Sequence, residues 1–189
     1  MTAMTPGTWT LDATHTDVDF TVRHAGISKV RGTFNAVEGT LTVAEDHTAS
    51  AVSVTIDASS IDTGQPDRDG HIKSADFFET ETHPTMVFES TEVRPGSDGM
   101  EEFTLVGNLT LKGITRPVEL KAEFGGQTVD AFGMTRAGFE ATGEISRKDF
   151  NITWNAPLQA AAGGVLVSDN VKILIDASFV LPAEEGAQA

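Results

Sequence analysis

The sequence predicts an all-β fold, an eight-stranded antiparallel β-barrel with a short helix near one mouth. Three observations carry that expectation. Apolar and polar residues alternate over long runs, the period that buries one face of a strand and wets the other. Turn-forming residues separate the runs at short intervals, which joins neighbours as an up-and-down meander. Eight antiparallel strands close readily, and closure removes exposed edges.

The elements follow in order. Val18-Asp19-Phe20-Thr21-Val22-Arg23-His24 alternates throughout and predicts a strand over 17–24, with Ala25-Gly26 as the turn after it. Strands are expected next over 30–43 and over 50–57, where Val52-Ser53-Val54-Thr55-Ile56-Asp57 alternates cleanly. Thr, Val, Ile and Phe fill these runs, as a half-buried pleated surface favours. From Pro66 to Phe78 the period breaks and a short helix is predicted, with Asp67 as N-cap and Asp69 in the first turn. Ile72 and Ala75 share one face of it, a face that can cover an opening. Strands over 84–93 and 102–112 flank Pro95-Gly96-Ser97-Asp98-Gly99, and Lys112-Gly113-Ile114-Thr115 turns tightly into a strand over 115–125. Gly125-Gly126 is expected to end that strand, and strands over 136–146 and 169–180 complete the set. Between those two, the stretch 156–168 contains Ala160-Ala161-Ala162-Gly163-Gly164 and reads as a mobile loop and portal. One domain is expected over 7–181, with a disordered acidic tail over 182–189.

Composition narrows the function. The chain has no cysteine, which excludes disulfides, thiolate catalysis and Cys-based zinc sites. Its net charge of −15 would be repelled by phosphate backbones and by anionic membrane surfaces, so nucleic acid is not an expected partner. No run of about 18 apolar residues is present, so no stable membrane insertion is expected. The start, MTAMTPGTWT, has neither a basic n-region nor an apolar h-region, and a soluble, cytoplasmic location is expected.

Alternation assigns Val18, Phe20, Val22, Val54 and Ile56 to the interior, with Met86, Phe88, Leu105, Leu109 and Leu111 from the middle strands. Val118, Leu120, Phe124, Phe139, Ile173 and Ile175 complete the inward set, which is almost purely apolar. A packed core and a ligand cavity are lined by the same residues, so the pattern leaves both open. His15, His24, Arg68, Asp69, His71, Arg147 and Asp149 lie at strand ends or in the helical stretch, as a polar rim. There, Arg68 and Asp69 could pair with Asp149 or Arg147. The five histidines have no metal-ligand spacing and no Gly-x-Ser-x-Gly occurs, so neither a metal site nor an esterase-type nucleophile is expected.

At these residues the sequence resembles the YceI-like, lipocalin-like polyisoprenoid-binding proteins. The matching segments begin with Trp9, Asp12, His15 and Thr16, then Phe20 to His24 and Val30 to Phe34. Arg68-Asp69-Gly70-His71-Ile72, Asp76-Phe77-Phe78 and His83-Pro84 to Phe88 follow, then Gly107 to Thr115 and Arg147 to Phe150. The order and spacing of the pieces hold over 7–181. The family pattern has Ser where Thr16 stands, Leu at Ile72 and Gly at Asn151; Asn tolerates a left-handed backbone, so the turn survives. The resemblance implies a lipocalin-like barrel with a long hydrophobic cavity, a non-enzymatic protein without a cofactor, and an isoprenoid-type lipid as partner, as a monomer or a homodimer. Its ligand would lie on the inward set together with Phe34, Phe77, Phe78 and Phe150. The leading reading is thus a soluble carrier or sequestering protein for a polyisoprenoid or isoprenoid quinone. An enzyme modifying such a lipid through His15, His71 or Arg147, and a stress-related structural barrel with a filled core, are the alternatives.

Overall fold

A computed structural model describes residues 4–97, 99–158 and 164–182. The first strand, β1 (Gly7–Leu11), and the second, β2 (Asp17–His24), are one course interrupted by a 3-10 turn, Ala13–His15. Asp12 makes the interruption by accepting from the Thr14 backbone N–H at 3.0 Å, an Asx turn. β3 (Ser28–Phe34) and β4 (Val37–Val43) form the next course, broken at Asn35 and Ala36, whose N–H groups are taken by the Ser60 carbonyl and hydroxyl. β5 (Ala51–Asp57) continues past a second turn as β6 (Ile61–Asp62), and the helix α1 (Pro66–Lys73) follows. β7 (Thr85–Gly96), β8 (Gly99–Leu111), β9 (Ile114–Val129), β10 (Thr135–Ser146) and β11 (Val167–Leu181) complete the chain.

These courses make a closed, eight-stranded antiparallel barrel, lipocalin-like and in up-and-down order. Closure is made by the first course against the last, with β1 pairing Leu11 to Phe179 and β2 pairing Ile175 to Val18. The first course therefore starts at Gly7 rather than at 17, and the predicted strand over 30–43 is two strands. Lys112 and Gly113 both adopt positive φ between the paired Leu111 and Ile114, the geometry of a two-residue hairpin turn.

Two local expectations are corrected. Gly125-Gly126 does not end β9. Gly126 faces Gly138 while Phe124 faces Phe139, so Gly125 is the extra residue of a bulge and the strand runs on to Val129. The N-cap of α1 is Gln65, whose side chain accepts from the Arg68 N–H; Pro66 then fits the first helical position and Asp67 lies inside the first turn. Ala75 falls beyond the helix and is exposed, so Ile72 and the following Phe77 and Phe78 cover the barrel instead. Within 156–168, Pro157 bridges Val165, and 159–163 lie outside the described residues, as do 183–189 of the tail. Asn151 has φ 56° and ψ 30°, the left-handed conformation that an Asn accommodates. Thr16 is buried and its hydroxyl accepts from the Ser178 N–H at 3.1 Å, which seats the turn against β11.

Candidate functional site

The register fixes which side chains look inward. Ala141 of β10 stands opposite Ala122 and Ile175, Leu120 opposite Leu105, and Val54 opposite Phe88. These side chains surround a cavity of about 760 Å³. Phe20, Val54, Leu105, Ile173 and Ile175 all border it and are only half-buried although they point into the barrel. Inward side chains in a filled core would be closed off, so this interior is hollow. Glycines in the wall make room for larger neighbours. A Cβ on Gly107 would collide with the Phe88 ring, and one on Gly143 would collide with Leu120. Without those atoms the larger side chains lie flat against the wall and leave the lumen open.

The two ends differ. Near the hairpin joining β9 to β10, Phe139 stacks with Phe124 at 5.2 Å, Phe179 at 5.9 Å and Phe103 at 6.5 Å. Met4 is buried there, and its carbonyl lies 3.2 Å from His47 Nε2. These rings and Met4 narrow this end of the cavity. At the other end α1 and its following loop lean over the lumen. Phe34 meets Phe20 at 5.8 Å and Phe78 at 5.9 Å. The His71 ring stands edge-on to Trp154 at 4.7 Å and to Phe77 at 5.1 Å. Its Nε2 is 2.8 Å from Asp76 Oδ2, and both side chains reach solvent, so this end is the mouth.

Arg147 is 4% exposed and borders the cavity. Its Nε donates to the Ser168 carbonyl at 3.0 Å, and Nη1 to the Ile152 and Trp154 carbonyls at 2.8 Å each. Nη2 donates to the Val167 carbonyl at 3.5 Å and to Asp169 Oδ1 at 3.1 Å. All its donors are therefore used within the chain, and it clamps the segment carrying Trp154 onto the start of β11. Asp169 also accepts from Lys148 Nζ at 2.7 Å, and that ammonium, with Arg147 second, holds the carboxyl below its ordinary range.

The polar rim does not form one cluster. Arg68 donates from Nε and Nη2 to the Thr63 hydroxyl and carbonyl at 2.7 Å each, and Asp69 accepts from the Thr63 N–H at 2.9 Å. Neither reaches Asp149 or Arg147, because Thr63 offers donor and acceptor from the same short loop. Arg68, His71, His24 and Arg147 border the cavity, whereas His15, Asp69 and Asp149 do not. His15 pairs with Asp12 at 2.9 Å on the outer wall, and Asp149 is exposed. Every apolar residue expected of the ligand surface borders the cavity except Phe150, which is fully buried behind the wall. Sequence reasoning missed Trp154, Ile152 and Leu166 at the mouth. A large amphipathic ring beside an alanine-rich stretch was the available signal at Trp154.

The family described as YceI-like domain matches residues 9–179. Protein YceI of Escherichia coli O157:H7 is 45% identical over 139 residues, 73% of this chain and 71% of its own length. Among solved structures, Burkholderia cenocepacia BcnA superposes with a TM-score of 0.76 at 19% identity, over 89% of this chain and 98% of its own. A domain from Saccharophagus degradans, described as polyisoprenoid binding and implicated in plant cell wall breakdown, gives a TM-score of 0.69 at 17% identity, over 92% of this chain and 98% of its own.

Proposed function

This chain belongs to the YceI-like family, and from that premise we propose that it encloses one long isoprenoid-type lipid, a polyisoprenoid or an isoprenoid quinone, as a carrier or sequestering protein. The observation that carries the reading is the hollow apolar lumen, narrowed by aromatic rings at one end and bordered by α1 and its following loop at the other. Its volume of about 760 Å³ lies within the range of ~300–1,000 Å³ typical of sites that enclose most of a small ligand. It holds roughly 25 groups of water size at ~30 Å³ each, room for a single chain and not for two.

The tail would lie on Phe20, Val22, Val54 and Ile56, across Leu105, Leu109, Leu120 and Ala141, and against Ile173 and Ile175, with Phe77, Phe78 and Trp154 at the entrance. About 20 enclosed carbons at ~0.8 kcal/mol each offer about 16 kcal/mol, enough to exceed an association cost of ~4–15 kcal/mol. The polar groups at the mouth brace the walls in this reading, and the protein acts by binding rather than by chemistry. The polyisoprenoid-binding description of the Saccharophagus degradans domain supports the ligand class.

The test is a native mass spectrum of purified protein before and after organic extraction, with mass analysis of the extract. A single prenyl-type lipid per chain is expected. No lipid from several expression hosts, together with no uptake of a prenyl quinone by stripped protein, would overturn the reading.

A further inference from the structure

The chain carries 28 acidic and 13 basic residues, yet the whole stretch 20–34 contains no Asp or Glu. It contains Arg23, Lys29 and Arg31, and it forms the β2–β3 hairpin. Arg23 faces Lys29 directly across the ladder, and Arg31 lies two residues along from Lys29, so strand alternation sets all three on one face. Like charges in directly opposed positions weaken strand pairing. All three are exposed, and among the described residues none of them is in an ion pair. At the tip, Ile27 is 85% exposed, against the rule that lets a chain hide a large aliphatic side chain.

This hairpin stands at the mouth. Arg23 and His24 border the cavity, and the Ala25 N–H donates to the Leu166 carbonyl at 2.7 Å. Leu166 itself borders the cavity, and its neighbour Val165 is 52% exposed. An apolar tip flanked by basic residues is thus continuous with the apolar lining of the lumen.

We propose that the β2–β3 hairpin docks the barrel, mouth first, on an anionic lipid bilayer, with Ile27 and Val165 entering the interface and Arg23, Lys29 and Arg31 meeting the headgroups. The inference rests on the lipid-carrier reading for its purpose, since a mouth seated on the bilayer lets a tail pass without crossing water. The hairpin is locally basic within a chain of net charge −15, and the acidic Asp67, Asp69 and Asp76 at this same end belong to α1 and its following loop rather than to the hairpin. The twelve residues of β10 span about 40 Å at ~3.3 Å each, or about 30 Å along a tilted barrel axis. Acidic groups at the opposite end, such as Asp130 between β9 and β10, lie several Debye lengths of ~8–10 Å from a membrane at the mouth.

The experiment is co-sedimentation of the full chain, stripped and loaded, with vesicles of phosphatidylcholine alone or mixed with phosphatidylglycerol. Binding should appear with phosphatidylglycerol and fall as salt rises. Each basic residue contributes about fivefold at such a surface, so Lys29→Glu with Arg31→Glu should weaken binding by at least ~25-fold. Ile27→Ser should weaken what remains at high salt. Lys121→Glu with Arg94→Glu makes the same charge change far from the mouth and should leave binding nearly unchanged. Uptake of a prenyl quinone analogue without vesicles is measured on every variant. Intact uptake with no binding to phosphatidylglycerol vesicles, or equal losses in the two charge-reversed proteins, overturns the docking. Vesicle binding that follows the hairpin in a protein taking up no prenyl chain supports the docking and counts against the carrier reading alone.

Discussion

Enlarging Ala141 to Phe discriminates a hollow lumen from a filled one by the sign of the stability change. Ala141 sits mid-strand, opposite Ala122 on one side and Ile175 on the other, and borders the cavity. A Phe side chain carries about 150–200 Å² of apolar surface. Laid against this wall about half of it is covered, and ~80 Å² at ~25 cal/mol per Å² is worth about 2 kcal/mol. Restricting the ring subtracts ~0.5–1 kcal/mol, which leaves the empty protein about 1 kcal/mol more stable. In a filled core the same ring would overpack and cost ~1–3 kcal/mol. Binding should move the other way. The ring takes the place of up to about six ligand carbons, so affinity should fall by ~2–5 kcal/mol, with the lower end reached if the tail slides along the lumen. The assay is paired: the urea midpoint of stripped protein, and titration with a fluorescent prenyl analogue. A lower midpoint together with unchanged affinity would refute the reasoning, because the ring would then be inside a packed core and outside the ligand's path.

Two further outcomes follow from the clamps around the barrel. Arg147→Met leaves the Ser168, Ile152 and Trp154 carbonyls without their donor, while the Val167 carbonyl keeps the Asn155 amide and Lys148 keeps Asp169 paired; the urea midpoint should report a loss of about 3–5 kcal/mol, and amides in 151–158 should exchange faster, whereas an unchanged midpoint removes the clamp. Arg136 bridges Asp12 and Asp130, and its hydrogen bonds are the largest cause holding both carboxyls below their ordinary range, so this stabilisation is present above the unfolded carboxylate value of about 4 and is lost as pH falls below it. Denaturation midpoints measured between about pH 7 and pH 2 should therefore drop along an acid limb that Arg136→Met makes shallower, and superimposable limbs would show that the bridge contributes nothing.

Much of the barrel was legible because strand chemistry is local. Val18 to His24, Val52 to Asp57 and Val118 to Phe124 alternate with period two, and alternation alone assigns Phe20, Val54 and Leu120 to the inner face. Lys112-Gly113 announced its turn for the same reason, since only certain residues accept positive φ at both positions. The first course is longer than its alternation implies because Asp12 interrupts it with its own side chain, and Gly125-Gly126 resembles a strand end because a bulge and a turn use the same residue type.

What lay beyond the sequence was everything set by the meeting of distant strands. Alternation says which way a side chain points but not how far away the opposite wall stands. That distance follows from strand tilt and register, fixed here by pairs such as Thr10 with Val180 and Val18 with Ile175, and by glycines that let Phe88 and Leu120 lie flat. The same long-range geometry put Phe150 behind the wall and Trp154 at the mouth, and gave Arg147 backbone carbonyls rather than Asp69 as partners. The sequence by itself determined an inward apolar surface; the closure of the first course on the last decided that this surface encloses a space, because only long-range pairing sets the circumference of a barrel.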